Sequence, residues 1–338
     1  MPALTRRRFL SFGAAAAAGL ALAGCGDGGS APAAGTTAPA AAGFPVTIDG
    51  VLGPVTVERE PQRVVSVGQY RDVDAAVALG VVPLATPTLA PFIAGGISPW
   101  VQTALAGRPA PQLLETTDGL PFEQIAGLRP DLILGADRNG LDTDYATLSR
   151  IAPTLSAGAG YNKDPWPVAT TRVGTALGRA DEAATLVADV EGRIASTKTA
   201  NPGFAGRTFA FGPVLSANSI TVINNEADAS ASFFAQLGMQ LAPGVRSLQA
   251  GSIPNRASVS PERLDVLDAD VLLLAYASPA ARQAVEGMEL FQRIPAVQRR
   301  SYVALDFPVA IALGFPSALS IGYGLDQVVP QLRSALAK

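Results

Sequence analysis

Seven residues in this sequence share a setting: Tyr70, Arg71, Arg138, Tyr161, Trp166, Tyr276 and Phe307 each stand just past a short apolar run or in the segment that follows one. Guanidinium groups present a fork of donors to carboxylate or other anionic oxygens. Phenol, indole and phenyl rings add flat apolar faces, with a polar edge on Tyr and Trp. Such a set suits the holding of a bulky, oxygen-rich, often anionic small molecule. It does not suit turning one over. The chain has no histidine, which excludes Ser-His-Asp and Cys-His catalysis, a His general base and His-ligated zinc. Its carboxylates occur singly along the chain rather than in pairs, so neither an enzyme nor a protein-held metal is expected. A net charge of −3 offers nucleic acid no basic surface. Arginine outnumbers lysine 22 to 3, which fits anion recognition and fits equally the codon usage of a GC-rich genome.

The one cysteine, Cys25, closes a different pattern. Thr5-Arg6-Arg7-Arg8-Phe9-Leu10 is basic with paired arginines, Phe12 to Ala23 is apolar and rich in Ala and Gly, and Leu22-Ala23-Gly24-Cys25 ends the run. A basic region, an apolar region and small residues make an export signal. About twelve apolar residues fall short of the roughly twenty that cross a bilayer as a helix. Residues 1–24 are therefore expected to be removed, the paired arginines looking like a twin-arginine signal and the tetrapeptide like a bacterial lipobox. Acyl chains on the Cys25 sulfur would each contribute roughly 0.8 kcal/mol per buried CH₂, and two or more chains anchor firmly. Residues 25–43 then read as the lipidated cysteine and a flexible Gly/Ala/Pro/Ser/Thr tether. With Cys25 consumed, no thiol remains for a disulfide or a thiolate metal site.

About 290 residues follow, enough for two lobes. From Arg63 onward short β-branched runs alternate with helical patterns, the mark of an α/β chain with parallel sheets. "RVVSVG" (63–68) and "VVPLAT" (81–86) read as strands around the helix "DVDAAVALG" (72–80), and "PFEQIAGL" (121–128) as a helix before the strand "DLILG" (131–135). The second half repeats the order. "RTFAFG" (207–212) matches the first strand, "SASFFAQLG" (230–238) closes a helix on Leu-Gly as Leu79-Gly80 does, and "ERLDVLDADVLL" (262–273) matches "EQIAGLRPDLIL" (123–134). Two similar α/β lobes with mainly parallel sheets are expected, at 44–165 and 201–338. Between them, in a helical linker over 166–200, Ala183, Leu186, Val187, Val190 and Ile194 share one face of a helix predicted over 180–200, with Asp181 as N-cap. One long helix joining two lobes, with a ligand cleft between them, predicts limited hinge motion and a preformed cleft. Ligands of such sheets lie beyond the carboxyl ends of the strands, where the rings and guanidinium groups named above fall.

The segments "PQRVVSVG", "FEQIAGLRPDLILGA", "YATLSRIAPTL", "TALGRADEAATLVADVEGRI" and "SVSPERLDVLDADVLLL" resemble the lipid-anchored substrate-binding proteins of ABC importers for ferric siderophores and cobalamin, closest to the ferric-dicitrate and ferric-hydroxamate types. The likeness covers nearly the whole chain. It implies a monomeric extracytoplasmic receptor, tethered through Cys25 to the outer face of the cytoplasmic membrane, that captures an Fe(III)-siderophore complex and delivers it to a membrane permease and, indirectly, its ATPase. It also implies a role for Glu123 and Glu262, one on each lobe, in docking against the permease. A glutamate in a first helical turn also opposes the helix dipole favourably, and the two roles are compatible. A siderophore supplies every oxygen ligand that the hard Fe³⁺ ion prefers, so a receptor for it needs no His or Cys. Haem or cobalamin as ligand, or an envelope scaffold that has lost transport, are the other readings open at this stage.

Overall fold

The computed structural model describes residues 43–251 and 255–337. The expected export signal, Cys25 and nearly all of the tether lie outside them. An antiparallel ribbon of β1 (Val46–Ile48) and β2 (Val55–Val57) opens the described chain. The first lobe is built on β3 (Val64–Ser66), β4 (Ala85–Pro87), β5 (Gln112–Leu114), β6 (Leu132–Leu134) and β7 (Thr154–Leu155), in the order β5-β4-β3-β6-β7. Every neighbouring pair in it is parallel. The central strands are buried throughout, as a sheet covered on both faces by helices requires, and so they read as unbroken apolar runs.

The second lobe carries β8 (Thr208–Ser216), β9 (Ser219–Ile223), β10 (Gln240–Leu241), β11 (Arg256–Val259), β12 (Val271–Tyr276) and β13 (Tyr302–Asp306). Their order is β11-β9-β8-β12-β13, with β10 also on β8. β8, β10, β12 and β13 pair in parallel, whereas β9 runs antiparallel to β8 and β11 antiparallel to β9. The inferred duplication therefore covers β3, β6 and β7 against β8, β12 and β13, with the short β10 parallel on β8 as β4 is on β3, and it fails at the antiparallel β9 and β11, which have no counterpart in the first lobe.

Within the duplicated pairs one clamp recurs. Asp131, just ahead of β6, accepts the backbone N–H of Gln62 at 2.9 Å and of Arg63 at 2.8 Å, so it grips the chain as it enters β3. Asp270, just ahead of β12, accepts the N–H of Thr208 at 2.8 Å and an N–H of the Arg207 guanidinium at 3.2 Å, at the start of β8. The aspartate of the repeated Glu-to-Asp pattern thus fixes strand register.

The bridging helix runs Ala180–Thr199, about 30 Å at 1.5 Å per residue. Its apolar face divides: Ala183 packs with the first lobe, Val187, Val190 and Ile194 pack with the second, and Leu186 touches both. Arg179, not Asp181, occupies the N-cap, without a side-chain cap bond. Gly178, at φ +70, ends the preceding helix and lets the Arg179 carbonyl accept the first helical bond, from the N–H of Ala183, at 2.9 Å. Asp181 sits in the first turn instead, where its charge still opposes the dipole.

One apolar cluster belongs to neither lobe. Tyr70, Val73, Trp100 and their first-lobe neighbours meet Ile311 and Ala312, with Phe307, Phe315 and Tyr323 packed on its border. Across this junction Tyr70 stacks on Phe315 at 4.4 Å, Phe92 on Phe307 at 5.1 Å, and Trp100 lies 5.2 Å from Tyr323. The lobes are therefore joined by ring contacts as well as by a helix.

If the aspartate clamps hold register, Asp131→Ala and Asp270→Ala should each lower stability by about 1–2 kcal/mol through the lost charge-assisted bonds. Urea unfolding midpoints measure this directly. Midpoints equal to the parent's would show that the sheets hold register without them.

Candidate functional site

The junction between the lobes is organised around buried carboxylates. After β3 the chain turns through Gly68 into the helix Arg71–Ala78. A Cβ at Gly68 would stand 2.2 Å from an Asp72 carboxylate oxygen, so only glycine lets the turn close this tightly. The loop after β6 brings in Asp137, whose Oδ2 accepts the N–H of Tyr70 and of Arg71, both at 2.9 Å. Its Oδ1 accepts Arg71 Nε at 3.3 Å, and Arg71 Nη1 donates to the Asp164 carbonyl at 2.8 Å. Asp137 in turn donates its own N–H to Asp72 Oδ2 at 3.1 Å. Two residues on, Asp74 Oδ2 accepts Trp100 Nε1 at 2.7 Å and the hydroxyl of Ser317, which comes from the second lobe. Among the described residues Asp74 Oδ1 has no hydrogen-bond partner.

Asp72, Asp74 and Asp137 are each 2% exposed or less, and the Arg71 guanidinium is buried beside them. Burial raises all three carboxyls above the usual range. Between Asp72 and Asp137 the donor count decides which holds a proton. Asp137 accepts three N–H bonds on its two oxygens, one of them the ion pair with the Arg71 guanidinium, so it is the anion, and its charge raises Asp72 further. Burial pushes Asp74 up to about 7, against the opposing bonds from Ser317 and Trp100.

Opposite this floor stands the second lobe. Asp228 caps the helix Ala229–Gln236 by accepting the N–H of Ser230 at 2.9 Å, and its other oxygen accepts Arg256 Nε at 3.4 Å. The Arg256 guanidinium lies over the Phe315 ring, 5.5 Å from its centre, and Phe315 is the ring on which Tyr70 stacks. Tyr161 shares this neighbourhood. Burial first, then the charge of Asp137, raises its phenol, while Arg256 and Arg71 pull the other way. Tyr70 is pushed up to about 12 by burial and by Asp137. Both phenols are neutral hydrogen-bond donors at any physiological pH.

Of the residues expected to contact a ligand, the structure brings Tyr70, Arg71 and Tyr161 together and adds Arg256 and Phe315, which the sequence did not point to. Arg138 turns to Asp144 on the helix Leu141–Ile151, at 2.7 Å, and with Tyr161 lines a hollow of about 200 Å³ on the first lobe. Trp166 opens the helix Trp166–Ala176, is packed into the second-lobe core, and borders a groove of about 270 Å³ between the lobes with Lys163, Glu191, Phe233 and Pro316. Phe307 is engaged with Phe92. Tyr276 is not brought to the junction: its hydroxyl lies 2.8 Å from that of Tyr302, which bonds Glu286 at 2.9 Å on the outer helix Pro279–Glu286. Arg282 pairs with the same Glu286 one turn along its own helix. Glu123 is exposed in the first turn of the helix Phe122–Gly127, and Glu262 is exposed in the first turn of a 3-10 helix, Pro261–Leu267. A wider hollow of about 400 Å³ lies apart from the rings, between the bridging helix and the helix Ser320–Leu336. Among the described residues no group of three or more His, Cys, Asp or Glu is placed to hold a metal ion, and no helix is long and apolar enough to cross a membrane.

Two lobes with mainly parallel sheets, one bridging helix and a ring-lined junction at the strand ends define a two-lobed solute-binding architecture. The chain belongs to the periplasmic binding protein family, whose pattern matches residues 46–309. It is similar to a periplasmic solute binding protein from Mycobacterium smegmatis at 31% identity, over 86% of this chain and 98% of that one, with a TM-score of 0.74. It shares its fold with PiaA of Streptococcus pneumoniae, solved in complex with ferrichrome (23% identity, 86% and 98% covered, TM-score 0.72). The same holds for SirA of Staphylococcus aureus, solved with staphyloferrin B (18% identity, 86% and 98% covered, TM-score 0.68). No curated protein matches the sequence.

The Asp74 carboxyl gives this junction a pH signature. The folded state keeps the Asp74 proton up to about pH 7, whereas the unfolded chain releases it near the ordinary carboxyl value. Its contribution to stability is therefore full in acid and is lost as pH rises through about 7. Asp74→Asn keeps an acceptor for Trp100 and Ser317 without a charge to bury. The variant should melt above the parent at about pH 8, and its melting temperature should vary less between about pH 5 and 8. A variant no more stable than the parent at the upper pH would assign the dependence to another group.

Proposed function

We propose that this protein is the lipid-anchored, extracytoplasmic receptor of an ABC importer, and that it captures an Fe(III)-siderophore complex between its lobes for delivery to a membrane permease. The observation that carries this reading is the convergence of Tyr70, Arg71 and Tyr161, which follow parallel strands of one lobe, with Arg256 and Phe315 from the other. Phenols, guanidinium groups and rings recognise an oxygen-rich chelate by donated hydrogen bonds and flat contact. The iron stays within the chelate as cargo, so the protein needs no ligands of its own for it. Support also comes from the family fold, two of whose structural relatives are solved with ferrichrome and staphyloferrin B.

In this reading residues 1–24 direct export, Cys25 carries the lipid, residues 25–43 form the tether, and 44–165, 166–200 and 201–338 are the first lobe, the helical linker and the second lobe. The protein works as a monomer and binds without turnover. Arg138, Trp166 and Phe307 remain candidates for ligand contact at the rim, Phe307 once it gives up its contact with Phe92, whereas Tyr276 is turned away to Tyr302. Glu123 and Glu262, exposed at matched places on the two lobes, are the proposed points of permease docking.

Trp100 and Trp166, the two tryptophans of the chain, both lie at the lobe junction and report on it. Titrating residues 44–338 with ferric hydroxamate, catecholate and citrate complexes, haem and cobalamin should give saturable quenching by a ferric complex at about micromolar affinity or tighter. Quenching by haem or cobalamin alone would replace the ligand, and flat titrations throughout would favour an envelope scaffold. Reversing both charges, Glu123→Arg with Glu262→Arg, should abolish uptake and leave ligand affinity unchanged. Lost affinity in that variant would place the glutamates in the binding site or the lobes' own structure.

A further inference from the structure

An excess of arginine in a cleft ordinarily attracts polyanions. Here each arginine near the junction is already matched by a carboxylate. Arg71 pairs with Asp137 at 3.3 Å, Arg256 with Asp228 at 3.4 Å, Arg138 with Asp144 at 2.7 Å, and Arg172 faces Asp164 at 4.0 Å. The two pairs nearest the stacked rings are the most enclosed: Arg71 and Asp137 are 5% and 2% exposed, Arg256 and Asp228 13% and 3%. Lys163, on the neighbouring groove, shares it with Glu191 and Asp164. Beneath the rings lie two further buried carboxyls, Asp72 and Asp74, and among the described residues neither has an ion pair of its own. With both protonated, the charges of Arg71, Arg256, Asp137 and Asp228 cancel. With either ionised, the balance turns negative. In neither state is it positive.

We infer that this site selects a ferric chelate that is neutral or cationic, of the hydroxamate kind, and rejects polyanionic catecholate or citrate chelates. The inference rests on the proposed function above and narrows it. A triply anionic complex would sit beside Asp137 and Asp228 in a medium that screens poorly, where the guanidinium groups are already paired and the one further cation named, Lys163, lies on a groove that also holds Glu191. A neutral chelate asks only for donors and surface. The site offers the Tyr70 and Tyr161 hydroxyls, both held protonated, the unspent N–H groups of Arg71 and Arg256, and the Phe315 ring. The carboxylates then act as a charge filter while keeping the guanidinium groups oriented.

Ligand charge and site charge can be varied separately. Titrations of residues 44–338 with ferrichrome (neutral), ferrioxamine B (cationic) and a ferric tris-catecholate or ferric citrate complex (anionic) should rank the first two about a hundredfold tighter than the anions. Their affinity should also depend little on added salt. Asp228→Asn releases Arg256 while an asparagine still caps the helix. The affinity for the anionic complex relative to that for ferrichrome should rise about tenfold in that variant, in protein whose circular dichroism matches the parent. Equal affinities across the series, or an anionic complex bound tightest, would overturn the charge filter and leave the iron-receptor reading standing. Failure of every ferric complex to bind would overturn both.

Discussion

The junction depends on one carboxylate. Asp137 holds two consecutive backbone N–H groups and a guanidinium, so the turn into the helix Arg71–Ala78, the direction of the Tyr70 ring and the place of Arg71 are set together. An anion buried this deeply is costly unless it is fully bonded. Its three donors meet that cost, and the same donors fix the site. Gly68 is the corollary, since the turn carries the chain past Asp72 with no room for a Cβ. The junction-facing side of the first lobe is thus held by electrostatics and not by ring packing alone.

Much of the architecture was legible in the sequence because it is local. Strand and helix periods, Gly-closed helices, the repeated Glu-to-Asp pattern and the divided face of the bridging helix all lie within short windows. The antiparallel pairing of β9 and β11 did not show, because period alone carries no strand direction. The N-cap of the bridging helix lies two residues ahead of Asp181 for a similar reason: the positive φ of Gly178, which decides where that helix starts, leaves no mark in the pattern of first-turn acids.

The site was legible in halves. Tyr70, Arg71 and Tyr161 follow strands of the first lobe, where the rule of strand ends applies directly. Arg256 opens an edge strand and Phe315 follows a helix, so only the tertiary placement of the second lobe brings them in. Asp72 and Asp74 read as ordinary first-turn acids that oppose a dipole; that they are buried is a property of what packs over the helix. Tyr276 shows the opposite failure. It stands at a strand end, yet its side chain reaches to Tyr302 and Glu286, a direction that sequence position does not specify.

A single helical connection also bears on how the chain folds. The strands of the first sheet all lie between residues 64 and 155 and those of the second between 208 and 306, so no strand of one lobe is threaded between strands of the other. Loop closures are therefore confined within each lobe, which keeps contact order low for a chain of this length. Each half can collapse on its own as it is synthesised, with the bridging helix and the ring contacts at the junction formed last. The junction surface proposed to recognise the ligand is then the part of the fold that nucleates nothing. Substitutions there fall mainly on the unfolding rate and leave the folding rate of either half untouched.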